Sequence, residues 1–161
     1  MKRQLTESEA LQRLAAMCAA GEHCAYEMKE KLDKWEIDAA AQERILAHLK
    51  EEKYVDDERF CRIFVREKIK YSKWGSRKIE QALYQKHIDK DIRARVMAEV
   101  DMQEYADVLA ALLKSKRKSV KAASLYELNG KLIRFAMSRG FTMDVIRECL
   151  ECDGEDYECP A

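Results

Sequence analysis

The 161-residue chain predicts an all-α fold, an elongated, curved array of three tandem three-helix repeats, and three observations carry that prediction. Strong helix formers dominate, and one Pro and five Gly leave little to interrupt helices, whereas period-two runs of β-branched residues are hard to find. Hydrophobic residues make up 47% of the chain against 37% charged, which excludes a natively disordered protein. An apolar pattern recurs about every fifty residues.

The repeat is anchored on Ile37, Ile88 and Phe141, spaced by 51 and then 53 residues. Five positions before each anchor stand Leu32, Leu83 and Ala136, and nine before stand Met28, Ile79 and Leu132. Members of each pair are four apart, so each pair forms an apolar stripe on the middle helix of its repeat. The first helices are read from Leu11, Leu14 and Ala15, from Phe60, Ile63 and Phe64, and from Leu109, Leu112 and Leu113. The third helices are read from Leu49, Val100 and Leu150.

The expected boundaries are 1–56, 57–102 and 103–151, followed by an acidic disordered tail, 152–161. Gly21, Gly75-Ser76 and Asn129-Gly130 supply turns and caps beside the three middle helices. Asp56 or Asp57 is the expected N-cap of the helix containing Phe60, with acidic groups in its first turn complementing the helix dipole. A lone three-helix unit buries a marginal core, so stacking the repeats supplies the missing burial. Such a stack covers its own apolar faces and no heptad seam is visible, so a monomer is expected.

Charge is unevenly spread. Between Arg59 and Arg95 there are twelve Lys and Arg against four Asp and Glu, a local +8 in a chain of zero net charge. One helix over residues 58–73 would bring Arg59, Arg62, Arg66, Lys70 and Lys73 within roughly 80° of arc, with Phe60, Phe64 and Tyr71 nearly opposite. Ordinary solvent-facing helices mix both signs, so a single-signed face points to an anionic partner. Arg77, Lys78 and Lys86 extend the positive surface. A second cluster holds Lys114, Lys116, Arg117, Lys118 and Lys121. Trp74 and Tyr84, among these cations, suit packing between repeats or stacking on bases.

Enzymatic signatures are absent. There is no glycine-rich phosphate loop, and no Asp/Glu pair stands out as an acid/base couple. No cofactor is expected, and no catalytic activity. His23, His48 and His87 are scattered. Cys149 and Cys152 form a CxxC with Cys159 beyond it, but a second well-spaced ligand pair is missing, so no metal is expected. The N-terminus lacks the apolar core of a signal peptide and no window reaches the ~18 apolar residues of a membrane span, which predicts a cytoplasmic protein away from the membrane. Its six cysteines are then expected as free thiols.

The run from Tyr54-Val-Asp-Asp-Glu-Arg-Phe60 to Val65, followed by Trp74-Gly-Ser-Arg-Lys-Ile79 and Leu83-Tyr-Gln-Lys-His-Ile88, strongly resembles the RecX family. In the first repeat, Ala10-Leu11, Leu14-Ala15, Glu27-Met28 and Lys31-Leu32 are also similar to the family pattern. His23-Cys24 stands where the family commonly has Arg-Ser, which implies a weaker helix cap and one basic contact fewer. His87 replaces the usual glycine before Ile88, and the acidic C-terminal extension is outside the pattern.

The resemblance implies a regulator of homologous recombination and DNA repair within the SOS response. It implies binding in the groove of a RecA filament on DNA, with inhibition of ATP hydrolysis and strand exchange. The binding role falls on Arg59, Arg62, Arg66, Lys70, Lys73, Arg77, Lys78 and Lys86, with Lys116, Arg117 and Lys118 beside them. Two alternatives stay open: a direct binder of single- or double-stranded DNA, and a helical scaffold for an unrelated acidic protein.

Overall fold

The computed structural model describes residues 3–151. Residues 152–161, where the sequence places a disordered acidic tail with Cys152 and Cys159, lie outside the described residues. The described residues are all-helical, with nine α-helices and no strand. They are α1 (Glu7–Ala20), α2 (Ala25–Lys34), α3 (Ala39–Glu51), α4 (Asp57–Lys70), α5 (Ser76–Gln85), α6 (Lys90–Ala98), α7 (Met102–Ser119), α8 (Leu125–Ser138) and α9 (Met143–Glu151).

Short polar side chains start most of these helices by satisfying orphan amides. Thr6 Oγ1 accepts from the Glu9 N–H at 3.1 Å, Asp38 from Ala41 at 2.9 Å, Asp56 from Arg59 at 3.0 Å, Asp101 from Gln103 at 3.1 Å and Ser124 from Glu127 at 3.1 Å. Of the two caps considered for α4, Asp56 is therefore the one used. Asp57 caps a different helix: its Oδ1 accepts the Ala25 N–H at 2.9 Å, at the start of α2 where Cys24 replaces a Ser.

The middle helix of every repeat ends in the same way. The anchor amide donates to the carbonyl five residues earlier, Ile37 to Leu32 at 3.0 Å, Ile88 to Leu83 at 3.2 Å and Phe141 to Ala136 at 3.1 Å. The residue before each anchor is left-handed, with φ of 57° at Glu36, 55° at His87 and 91° at Gly140. These are Schellman closures, in which a glycine is favoured because an L side chain crowds the backbone at positive φ. The stripe positions Met28, Leu32, Ile79, Leu83, Leu132 and Ala136 are all at 0% exposure, and the three anchors are buried with them.

The chain divides into two compact units. The first contains the described residues up to Ile63 together with Leu83–Arg93; the second contains Phe64–Ala82 together with the described residues from Ala94 onward. Helices α4, α5 and α6 thus each contribute to both. In the first unit one core gathers Ala10 and Leu14 of α1, Met28 and Leu32 of α2, Ile37, Ala41, Ile45 and Leu49 of α3 and its approach, and Val55. Helix α7 packs on α8 and α9 in the second unit, burying Leu109, Leu113, Leu132, Ala136, Ile146 and Leu150.

Each unit contains a joint at which the start of one repeat's middle helix meets the turn after the next repeat's middle helix. In the first unit the start of α2 meets the turn after α5. Glu27 pairs with Lys86 at 3.1 Å, Tyr26 stacks on His87 with ring centroids 4.0 Å apart, and the buried Cys24 thiol faces the Lys86 carbonyl. In the second unit the start of α5 meets the turn after α8 through backbone: the Gly75 N–H donates to the Arg139 carbonyl at 2.8 Å and the Arg77 N–H to the Gly140 carbonyl at 3.0 Å. A Cβ on Gly75 would lie 2.3 Å from the Phe141 nitrogen, and one on Gly140 would lie 2.4 Å from Lys78 Cβ.

Four local expectations are corrected. Val100, read as marking the third helix of the second repeat, lies beyond α6, which ends at Ala98 and buries Val96 instead. The basic helix ends at Lys70 rather than at residue 73: Lys73 has φ of 57°, and Tyr71, expected on the apolar side, is 72% exposed. The inward phase of α4 is carried by Phe60, Cys61, Val65 and Ile69, while Ile63 is 39% exposed, because the small Cys61 and Val65 occupy the core-facing stripe. Asn129-Gly130 lies inside α8, whose start is fixed by Ser124, so this pair does not punctuate the helix.

Candidate nucleic-acid interface

A basic side chain already paired with a neighbouring carboxylate has less net charge to offer a phosphate, so partners sort the basic residues. Arg59, in the first unit, pairs with Glu22 at 2.8 Å and donates from Nη2 to the carbonyls of Lys53 at 3.0 Å and Tyr54 at 3.3 Å. It closes the turn before α4, where Lys53 is itself left-handed at φ 59°. Arg62 is exposed on the same helix. Lys86 completes the ion pair with Glu27. Burial works to raise the Glu27 carboxyl, but the Cys24 N–H, the Lys86 ammonium and His23 outweigh it and hold its pKa below the ordinary value.

In the second unit Arg66 forms an ion pair with Glu104 of α7. The neighbouring Tyr105 hydroxyl is pushed up to about 12, by burial first and by the negative charges of Glu104 and Glu80 next. Lys70 lies with its ammonium 5.2 Å from the Tyr71 ring centroid. Lys73 and Arg77 are exposed, Lys73 beyond the end of the helix. The Lys78 ammonium lies 4.7 Å from the Trp74 ring centroid. On α7, Lys116 lies 4.9 Å from the Phe135 ring centroid, Arg117 is half-buried and Lys118 is exposed. These three stand in the last turn of α7, where positive charge also complements the helix dipole.

The basic face is thus partly neutralised within the protein: Arg59 is paired by Glu22 of the α1–α2 loop, Lys86 by Glu27 of α2 and Arg66 by Glu104 of α7. The sequence-predicted residues also fall into two groups, with Arg59, Arg62 and Lys86 in the first unit and the other eight in the second. Among the cations outside the predicted set, two in the second unit rest on rings. The Lys68 ammonium lies 4.7 Å from the Trp74 ring centroid and 5.2 Å from that of Phe64, and the Arg139 guanidinium lies 5.3 Å from that of Phe135. Phe64/Lys68 and Phe135/Arg139 are both i,i+4 pairs on helical ridges, the spacing that brings side chains together and the signal that identifies them.

The remaining chemistry is sparse. Among the described residues no group of three His, Cys, Asp or Glu could hold a metal ion. Cys18, Cys24, Cys61 and Cys149 are free thiols. Burial pushes Cys24 up to about 12 and Cys61 up to about 11, and the Cys149 thiol donates to the Ala106 carbonyl at 3.2 Å. No described helix is long and apolar enough to cross a membrane.

Known proteins share this architecture. A structure titled "Crystal structure of regulatory protein RecX" matches with a TM-score of 0.83 at 18% identity, over 90% of this chain and 73% of that one. The crystal structure of RecX from Lactobacillus salivarius gives 0.80 at 18% identity, over 90% of this chain and 94% of that one. In sequence, the regulatory protein RecX of Vibrio parahaemolyticus is 28% identical over 155 residues, which are 96% of this chain and 98% of that protein. That of Clostridium beijerinckii is 27% identical over 137 residues, 81% of this chain. The match spans 63% of the Clostridium beijerinckii protein and 59% of a Clostridium botulinum one, less than two thirds of their length. Models of the second and third three-helix domains of RecX match residues 56–97 and 103–150, more than half of the sequence, and the chain belongs to the RecX family.

Proposed function

We propose that the chain is a non-catalytic regulator of homologous recombination that binds in the groove of a RecA filament on DNA and inhibits its ATPase and strand exchange. The observation that carries this reading is the +8 excess of Arg59–Arg95 in a neutral chain. Several of those cations, Lys70, Lys73, Arg77 and Lys78 among them, have no ion-pair partner among the described residues. Relatives named regulatory protein RecX support the regulatory role. Tandem three-helix repeats offer a broad surface for successive subunits or for the DNA they hold, and the protein acts in the cytoplasm as a monomer.

The test is a titration of RecA ATPase on single-stranded DNA with wild-type protein and with a Lys73→Glu/Arg77→Glu variant. Both positions are exposed and neither side chain anchors the fold, so the variant keeps its helicity. Inhibition by wild type and its loss in the variant are expected. No inhibition at saturating wild-type protein would sink the regulatory reading. The unpaired cations favour direct DNA binding as a second reading, for which binding to bare DNA would persist and weaken steeply with salt. Capture of an acidic protein other than a recombinase, with neither activity, would indicate a scaffold.

A further inference from the structure

Two aromatic rings of the second unit each hold two cations. Trp74 has Lys68 and Lys78 at 4.7 Å from its centroid, and Phe135 has Lys116 at 4.9 Å and Arg139 at 5.3 Å. The rings are linked through the joint itself. Gly75, next to Trp74, bonds to the Arg139 carbonyl, and Lys78 packs against Gly140. All six side chains are half-buried, so their stems are ordered by contact while some surface stays open to solvent. Among the described residues none of the four cations has a carboxylate partner.

We propose that Lys68, Lys78, Lys116 and Arg139, held on Trp74 and Phe135, form a binding surface for the phosphate backbone of a nucleic acid. The assignment deepens the reading above and rests on it for the recombinase filament as the source of that nucleic acid. Close like charges repel, and an anion lying across them removes the repulsion. Two amides at the start of α5, those of Gly75 and Arg77, are spent on the α8 turn and are not available to that anion. The ring-held side chains supply the charge. Three of the four are lysines, point charges that track a backbone without demanding the planar fork suited to a carboxylate. Four cations without a carboxylate partner in one unit match the regularly repeated charge of a phosphate backbone, which favours nucleic acid over an acidic protein. Phosphates carry no sequence information, so binding through backbone contacts is insensitive to sequence.

The experiment is fluorescence anisotropy of a labelled oligothymidylate with wild-type protein, Lys68→Gln/Lys78→Gln, Lys116→Gln/Arg139→Gln, and a Lys29→Gln/Lys50→Gln control from the first unit. Glutamine keeps a polar stem, and thermal melting by circular dichroism verifies that each variant folds. Each second-unit pair should weaken binding about tenfold near physiological salt, and should lower the slope of log affinity against log salt by about 0.7 for each phosphate that is no longer neutralised. The control pair should change neither. With Trp35→Phe as background, Trp74 fluorescence should change on titration with the oligonucleotide.

Unchanged binding in both second-unit pairs, or an equal loss in the control pair, overturns the proposal. Loss of filament inhibition with bare-DNA binding intact would give the surface to an acidic protein face, overturning the proposal while the regulatory reading stands. Selective loss of DNA binding, in a protein whose wild type never inhibits RecA ATPase, would keep this surface and remove the regulatory reading.

Discussion

The two joints between repeats occupy equivalent places and are held by different chemistry. At the first, side chains meet: the Glu27–Lys86 ion pair, the Tyr26–His87 stack and the buried Cys24, with Asp57 capping α2 from outside. At the second, backbone meets backbone through Gly75 and Gly140. A side-chain joint tolerates substitution because each contact is modest and exchangeable, whereas a glycine joint has no slack. The difference also decides where charge goes. Lys86 is consumed by the first joint, while the backbone bonds of the second leave Lys78 and Arg139 resting on rings.

Breaking the second joint should have the largest effect. Gly75→Ala places a methyl 2.3 Å from the Phe141 nitrogen and 2.4 Å from the Gly140 carbonyl group, backbone atoms that cannot step aside without losing two hydrogen bonds. A loss of about 3 kcal/mol or more is expected in urea unfolding. A loss below about 1 kcal/mol would show that the joint yields easily.

Breaking the first joint should cost less and depend on pH. Glu27→Gln removes the charge opposite Lys86 and weakens the acceptor for the Cys24 N–H, for a cost of about 1–2 kcal/mol at neutral pH. The folded carboxyl titrates below its ordinary value of 4.5. Its contribution is therefore complete above about 4.5, and is lost as pH falls through the depressed folded pKa. Denaturant melts at neutral and acid pH should show the gap between wild type and Glu27→Gln closing on the acid side.

Smaller effects sharpen the comparison at the left-handed positions. Glu36→Gly removes a left-handed side chain with no ring contact and should stabilise by about 0.5–1 kcal/mol. His87→Gly gains the same relief and gives up the Tyr26 stack, worth about 0.5–1.5 kcal/mol, so its net effect should be near zero or slightly negative. Equal stabilisation by both would mean that the stack contributes nothing.

The gentlest probe is thiol labelling. Cys24 and Cys61, pushed up to about 12 and about 11 by burial, should resist iodoacetamide in the folded protein at mildly alkaline pH. Faster labelling of Cys24 in Lys86→Met, with Cys61 unchanged, would report local opening of the first joint.

The repeat frame was legible because apolar residues four apart on a helix must share a face. Met28/Leu32, Ile79/Leu83 and Leu132/Ala136 accordingly became its buried stripes. The phase of α4 was not, since Phe60, Ile63 and Phe64 are as apolar as Cys61 and Val65, and periodicity alone cannot say which stripe faces in. The limit at Lys70 was hidden too: no Pro or Gly precedes it, and Lys73 adopts a left-handed turn that its side chain does not announce.

The net positive charge of Arg59–Arg95, the helical class and the spacing of the anchors follow from composition and period, which are properties of the chain as written. Which cations remain available to a partner does not. Glu22 lies far along the chain from Arg59, as does Glu104 from Arg66 and Glu27 from Lys86. Only folding brings each carboxylate within reach, and Coulomb attraction acts on separation in space rather than in sequence.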